Sequence, residues 1–66
     1  MKLYLELIEQ TDVEINPLII KVEVENKEQA ISLLPNYEME FEGKNYIKRL
    51  HYCYHDENKI CETELL

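Results

Sequence analysis

Residues 2–9 read Lys-Leu-Tyr-Leu-Glu-Leu-Ile-Glu, with Leu3, Leu5 and Leu7 at every second position and Lys2, Tyr4 and Glu6 between them. Alternation of this kind marks a strand with one face in a core and one in water, because successive Cβ atoms leave a strand on opposite sides. A first strand is predicted there. Gln10-Thr11-Asp12 breaks the pattern, and Val13 and Ile15 resume it until Asn16-Pro17, where the missing amide hydrogen of Pro17 interrupts pairing or marks an edge. Residues 18–25 give a second strand, with Ile20, Val22 and Val24 on one parity and Lys21, Glu23 and Glu25 on the other.

The period then changes. Asn26 is a good N-cap, Gln29 stands at the reciprocal capping-box position, and Glu28 suits the positive end of a helix dipole. Ala30, Leu33 and Leu34 recur at helical spacing with Ile31 beside them, so one stripe packs onto a sheet. The residue before a proline is pushed away from helical backbone angles, so Pro35 is expected to end this helix after about two turns. Alternation returns at Tyr37, Met39 and Phe41, interleaved with Glu38, Glu40 and Glu42, which predicts a third strand closed by a turn at the single glycine, Gly43.

Residues 46–55 predict a fourth strand, with Tyr46, Leu50, Tyr52 and Tyr54 on one face and Arg49, His51, Cys53 and His55 on the other. A turn at Asp56-Glu57-Asn58-Lys59 leads to a fifth strand, Ile60 to Leu65. Centring that turn on Glu57-Asn58 sets Leu50 opposite Leu65, Tyr52 opposite Thr63, His51 opposite Glu64 and Cys53 opposite Glu62. The expectation is an α+β fold in one domain over residues 1–66: a single antiparallel sheet of about five strands, ordered β-β-α-β-β-β, with one short helix on one face. Its expected core is Val22, Val24, Leu33, Leu34, Met39, Phe41, Leu50 and Tyr52.

Size and charge narrow the function. Sixty-six residues offer little concave volume for a substrate, and no glycine-rich phosphate loop or catalytic motif is present, so an enzyme is not expected. The longest apolar runs, such as Leu18-Ile19-Ile20, fall far below the ~20 residues that cross a bilayer, and Met1-Lys2 leads into a strand pattern without a signal segment. A soluble cytoplasmic protein is expected. Fourteen acidic residues against 7 basic ones give a formal net charge of -7, which disfavours direct capture of nucleic acid and favours a basic protein partner. The acidity is spread: the first 36 residues hold 3 bases and 7 acids, the remainder 4 and 7.

Two cysteines, Cys53 and Cys61, are too few for a disulfide scaffold, and no bridge is predicted. His51-x-Cys53-x-His55, followed by Asp56 and Cys61, carries zinc-type ligands. Along a strand, however, His51 and His55 stand about 13 Å apart, too far to share one ion. Neither a metal nor another cofactor is therefore expected. Lys44, Lys48 and Arg49 with Tyr46 make a small basic and aromatic spot, read as edge charges that pair with nearby glutamates.

The acidic rows carry the functional expectation. Glu23 with Glu25, and Glu38 with Glu40 and Glu42, repeat on strand faces at about 6.6–6.8 Å, near the spacing of phosphates along a nucleic-acid strand. Tyr4 and Ile8 share the face opposite the leucines and mark a partner or dimer surface if the helix covers the other side. The expected function is a small acidic, non-enzymatic protein-binding module, an inhibitor or adaptor that engages a basic protein, with a nucleic-acid-binding protein as the natural candidate, through an acidic sheet face or a free sheet edge. The alternatives are a ligand- or metal-binding domain built on the His51 to Cys61 hairpin, and a structural subunit of a homo-oligomer.

Overall fold

The alternating leucines build the centre of the sheet. In the computed structural model, which describes residues 2–12, 16–53 and 61–66, they lie on β1 (Lys2–Glu9). This strand is flanked by β2 (Ile19–Val24) and β3 (Tyr46–Cys53), and β4 (Glu62–Leu65) closes the far edge in the order β2-β1-β3-β4, every pair antiparallel. Leu3 faces Val24 and Tyr52, Leu5 faces Val22 and Leu50, and Leu7 faces Ile20 and Lys48. A helix, α1 (Lys27–Glu38), lies over these rows and continues into a 3-10 turn at Met39–Phe41. The core is Leu3, Leu5, Leu7, Val24, Ala30, Leu34, Phe41 and Leu50, with Val22, Leu33 and Tyr52 packed against it. Val13, Ile15, Tyr54, His55 and the predicted turn at 56–59 lie outside the described residues.

The start of α1 follows the sequence closely. Asn26 is the N-cap, and its side chain accepts from the Gln29 amide at 2.8 Å. Gln29 returns the contact one residue earlier than a standard capping box, with its Oε1 accepting from the Glu25 amide at 2.6 Å.

The end of α1 departs from expectation. Pro35 lies inside the helix, and residues 37–41 are helix and 3-10 turn, so the sheet has four strands and the predicted third strand does not exist. An internal proline costs about 3 kcal/mol, because it removes one backbone hydrogen bond and crowds the preceding turn. Packing beyond it offsets that cost. Phe41 is almost fully buried, its ring 4.9 Å from that of Tyr46, and Glu38 accepts hydrogen bonds from Tyr46 Oη and Lys48 Nζ. The alternation at 37–41 coincides with a helical arc: Leu34, Tyr37 and Phe41 face the core, while Met39 points outward at 73% exposure and is not a core residue. Gly43, with φ 79°, then turns the chain into β3 through a left-handed conformation that suits glycine.

The pairing of β3 and β4 is displaced by one residue from the predicted register. Leu50 lies opposite Glu64 rather than Leu65, His51 opposite Thr63 rather than Glu64, and Tyr52 opposite Glu62. A polar anchor explains the choice. Glu64 sits on the helix side, where Lys27 Nζ of α1 approaches it at 2.6 Å and Tyr52 Oη at 3.1 Å. Leu66, two residues on, takes the apolar place against the core, and Leu65 is left exposed. A one-residue change of partner moves a whole set of side chains to the other face, so this contact decides what the final strand displays.

Leu5→Ala should cost ~2–5 kcal/mol and Leu33→Ala, only partly buried, clearly less, while Met39→Ala should leave stability nearly unchanged. Urea melts of the three variants check the order. Pro35→Ala should raise the melting temperature, since the exposed proline breaks the helix ladder without filling the core; a lower melting temperature would show that the ring is needed for the bend into Phe41.

Candidate functional site on the uncovered sheet face

Because the only helix among the described residues lies on one side, the other side of the sheet carries no layer among the described residues. The Cα envelope is 15 Å through its thinnest direction, about the depth of one sheet and one helix. Antiparallel register arranges the uncovered side chains in rows across the strands. Ile19, Ile8 and Ile47 form one row; Lys21, Glu6, Arg49 and Leu65 the next; Glu23, Tyr4, His51 and Thr63 the third. Lys2 and Cys53 lie beyond them.

Glu6 holds the middle of this face. It is only 7% exposed, although its face carries no helix, because cationic side chains close over it: Arg49 Nε donates to Oε1 at 2.7 Å and Lys21 Nζ stands 3.9 Å from Oε2. The Lys21 ammonium also lies 4.5 Å from the centroid of the Tyr4 ring, which in turn tilts against His51 at 6.5 Å. Sequence alternation places Glu6 on the solvent side without showing that its row neighbours on both sides are basic. The signal needs the strand order β2-β1-β3, which the chain does not state.

At the end of the third row, His51, Cys53 and Cys61 come together. One ligand atom from each lies within 4.8 Å of the others. His51 and Cys53 share a face of β3, and Cys61, just before β4, continues the observed register to a place beside Cys53. The register expected from sequence sets Glu62 there instead. Neither cysteine is in a disulfide, and His51 Nδ1 is buried without a hydrogen-bond partner among the described residues.

The predicted acidic rows are not rows. Glu38 lies at the end of α1, committed to Tyr46 and Lys48; Glu40 is exposed in the 3-10 turn and Glu42 in the turn after it. Glu23 is on β2 in the Tyr4 row, while Glu25 falls in the bend beyond that strand. Tyr4 and Ile8 do lie on the uncovered face, both half-buried. Ion pairing sorts the rest of the charge. Lys21, Lys27, Lys44, Lys48 and Arg49 all pair, with Glu6, Glu64, Glu9, Glu38 and Glu6 respectively. Among the described residues Asp12, Glu23, Glu25, Glu28, Glu40, Glu42 and Glu62 stand outside these pairs, and all are exposed. The predicted basic spot is thus largely neutralised, and the excess negative charge is carried by surface carboxylates.

Two of the contacts shift ionisation. The hydrogen bond from Tyr46, helped by Lys48, holds the Glu38 carboxyl below its ordinary value of 4.5, and the same bond raises the Tyr46 phenol. Hydrogen bonds from Lys27 and Tyr52 likewise lower Glu64, and Lys27 is raised in return. Carboxyls with lowered folded values add stability that is fully present above 4.5 and drains away as pH falls through those lower values. Stability from about pH 7 to about pH 3 should therefore decline on the acid side, and Glu38→Gln should lessen that decline. Denaturant melts across the range check this: an acid limb unchanged in Glu38→Gln would remove Glu38 from the account.

The chain matches no protein-family model, no curated protein and no solved structure.

Proposed function

We propose that this chain is a non-enzymatic protein-binding module that receives a basic partner on the uncovered sheet face. The observation that carries the reading is the row Ile19, Ile8 and Ile47, aligned on the side without the helix, with Ile19 57% exposed. Contiguous apolar surface rimmed by polar groups is the usual form of an interaction site. Within the face, Lys21 and Arg49 share the single carboxylate of Glu6, so both are engaged in ion pairs. The exposed carboxylates outside the ion pairs, Glu23 on this face and the others on the helix, turns and strand ends, give the molecule a negative field that speeds encounter with a basic surface, while apolar burial at the isoleucines holds the complex.

The shape of the rest of the surface fits a binder better than a catalyst. A shallow hollow of about 360 Å³ is lined by Tyr46, Ile47, Lys48, Leu65 and Leu66, and its two ionisable groups, Tyr46 and Lys48, are both engaged by Glu38. This adaptor or inhibitor role needs no group with a free reactive proton.

Capture from an extract of the native host should retain the same partner with wild-type bait and lose it with Ile8→Asp, while Glu40→Gln with Glu42→Gln slows association. The association rate should fall between about 0.05 M and about 0.5 M salt as screening shortens the reach of the charges. Ile19→Asp, at the sheet edge, repeats the test with less risk to the fold. Binding indifferent to both isoleucine variants and to salt would overturn the proposal, and a wild-type dimer dissociated by Ile8→Asp would replace the basic partner with a second copy of the chain.

A further inference from the structure

We propose that His51, Cys53 and Cys61 bind a thiophilic metal ion, zinc in the first instance, at the end of the uncovered face. The three ligand atoms already lie within 4.8 Å of one another. In a tetrahedral site with Zn–S of about 2.3 Å and Zn–N of about 2.0 Å, neighbouring ligand atoms stand about 3.5–3.8 Å apart. Closing that gap requires side-chain rotation of about an ångström and no change of fold. The distance that prevents His51 and His55 from sharing an ion does not apply to this set, because Cys61 comes from the segment just before β4, beside Cys53.

A second observation points to the same place. His51 Nδ1 is buried and has no hydrogen-bond partner among the described residues, although the ring sits on a largely polar face beside Tyr4. Buried ring nitrogens are ordinarily paired, and metal-bound histidines use one nitrogen for the ion and offer the other to a neighbour. The donor set also selects the metal. Two sulfurs and one imidazole without a carboxylate suit zinc or copper(I) and discriminate against magnesium and calcium, which require oxygen. Two thiolates balance the charge of a divalent ion, and the net charge of -7 draws cations to the molecule. Among the described residues the cluster supplies three ligands of a tetrahedral site. The site is independent of the isoleucine row and stands whether or not a protein docks there.

Cobalt(II) chloride titrated into the reduced full chain in metal-free buffer tests the proposal directly. Saturation at one equivalent is expected, with thiolate-to-cobalt charge-transfer bands, the d–d absorption of a tetrahedral site, and displacement by zinc. Cys53→Ser, Cys61→Ser and His51→Gln should each weaken zinc binding by more than about tenfold, the loss that even an outer-shell contact causes, with far-ultraviolet circular dichroism confirming the fold. Because charge-transfer bands report sulfur ligation in the wild-type protein, a variant that fails to fold leaves the test intact. Oxidation that links the two cysteines should abolish uptake. Absence of saturable binding by the reduced protein, binding without thiolate bands, or affinity unchanged in Cys61→Ser would overturn it.

Discussion

The structure depends on β1 being held in register from both faces and both sides at once. Beneath the sheet, Leu3, Leu5 and Leu7 enter the core, where each fully buried leucine contributes about 1.5–3 kcal/mol. Above it, Glu6 stands between Lys21 of β2 and Arg49 of β3. A slip of one residue in β1 exposes three leucines and presses Glu6 into the core, whereas a slip of two residues in either neighbour keeps the faces but removes a cation from Glu6. The apolar face specifies parity, and the buried carboxylate specifies position.

Further out, polar contacts do what the small core cannot. Glu64 ties the last strand to the start of the helix through Lys27, and Glu38 ties the end of the helix to β3 through Tyr46 and Lys48. Exposed ion pairs contribute little energy one by one. Their weight here lies in choice between near-equal alternatives: which leucine of the C-terminal pair enters the core, and whether the helix survives its proline. Because five of the basic side chains among the described residues are used in such ties, the excess negative charge falls on exposed carboxylates outside the ion pairs.

Among the described residues, one helix on one sheet leaves the second sheet face uncovered. The chemistry of that face changes from one end to the other: aliphatic at the Ile8 row, ionic around Glu6, aromatic at Tyr4 and His51, and thiol-rich at Cys53 and Cys61. Soft-ligand chemistry and apolar contact thus occupy opposite ends of a single surface, so a ligand at one end and a protein at the other are sterically compatible.

Period-two leucines, the Asn26 cap and the switch to helical spacing at Ala30 made β1, β2 and the helix start legible from the chain, because each is a local pattern whose physical cause lies within a few residues. The segment 37–41 was ambiguous on the same grounds: Tyr37, Met39 and Phe41 fit a strand alternation, Leu34, Tyr37 and Phe41 fit a helix, and only packing of Phe41 against Tyr46 on a distant strand chooses between them. The acidic row fell with that choice. Cys61 beside Cys53, Glu6 between two cations and the row of Ile19, Ile8 and Ile47 were likewise undetermined by sequence, since each joins residues from different strands. Alternation along one strand states which face a side chain takes, but strand order and register, decided by long-range packing and the Lys27–Glu64 contact, state what it meets there.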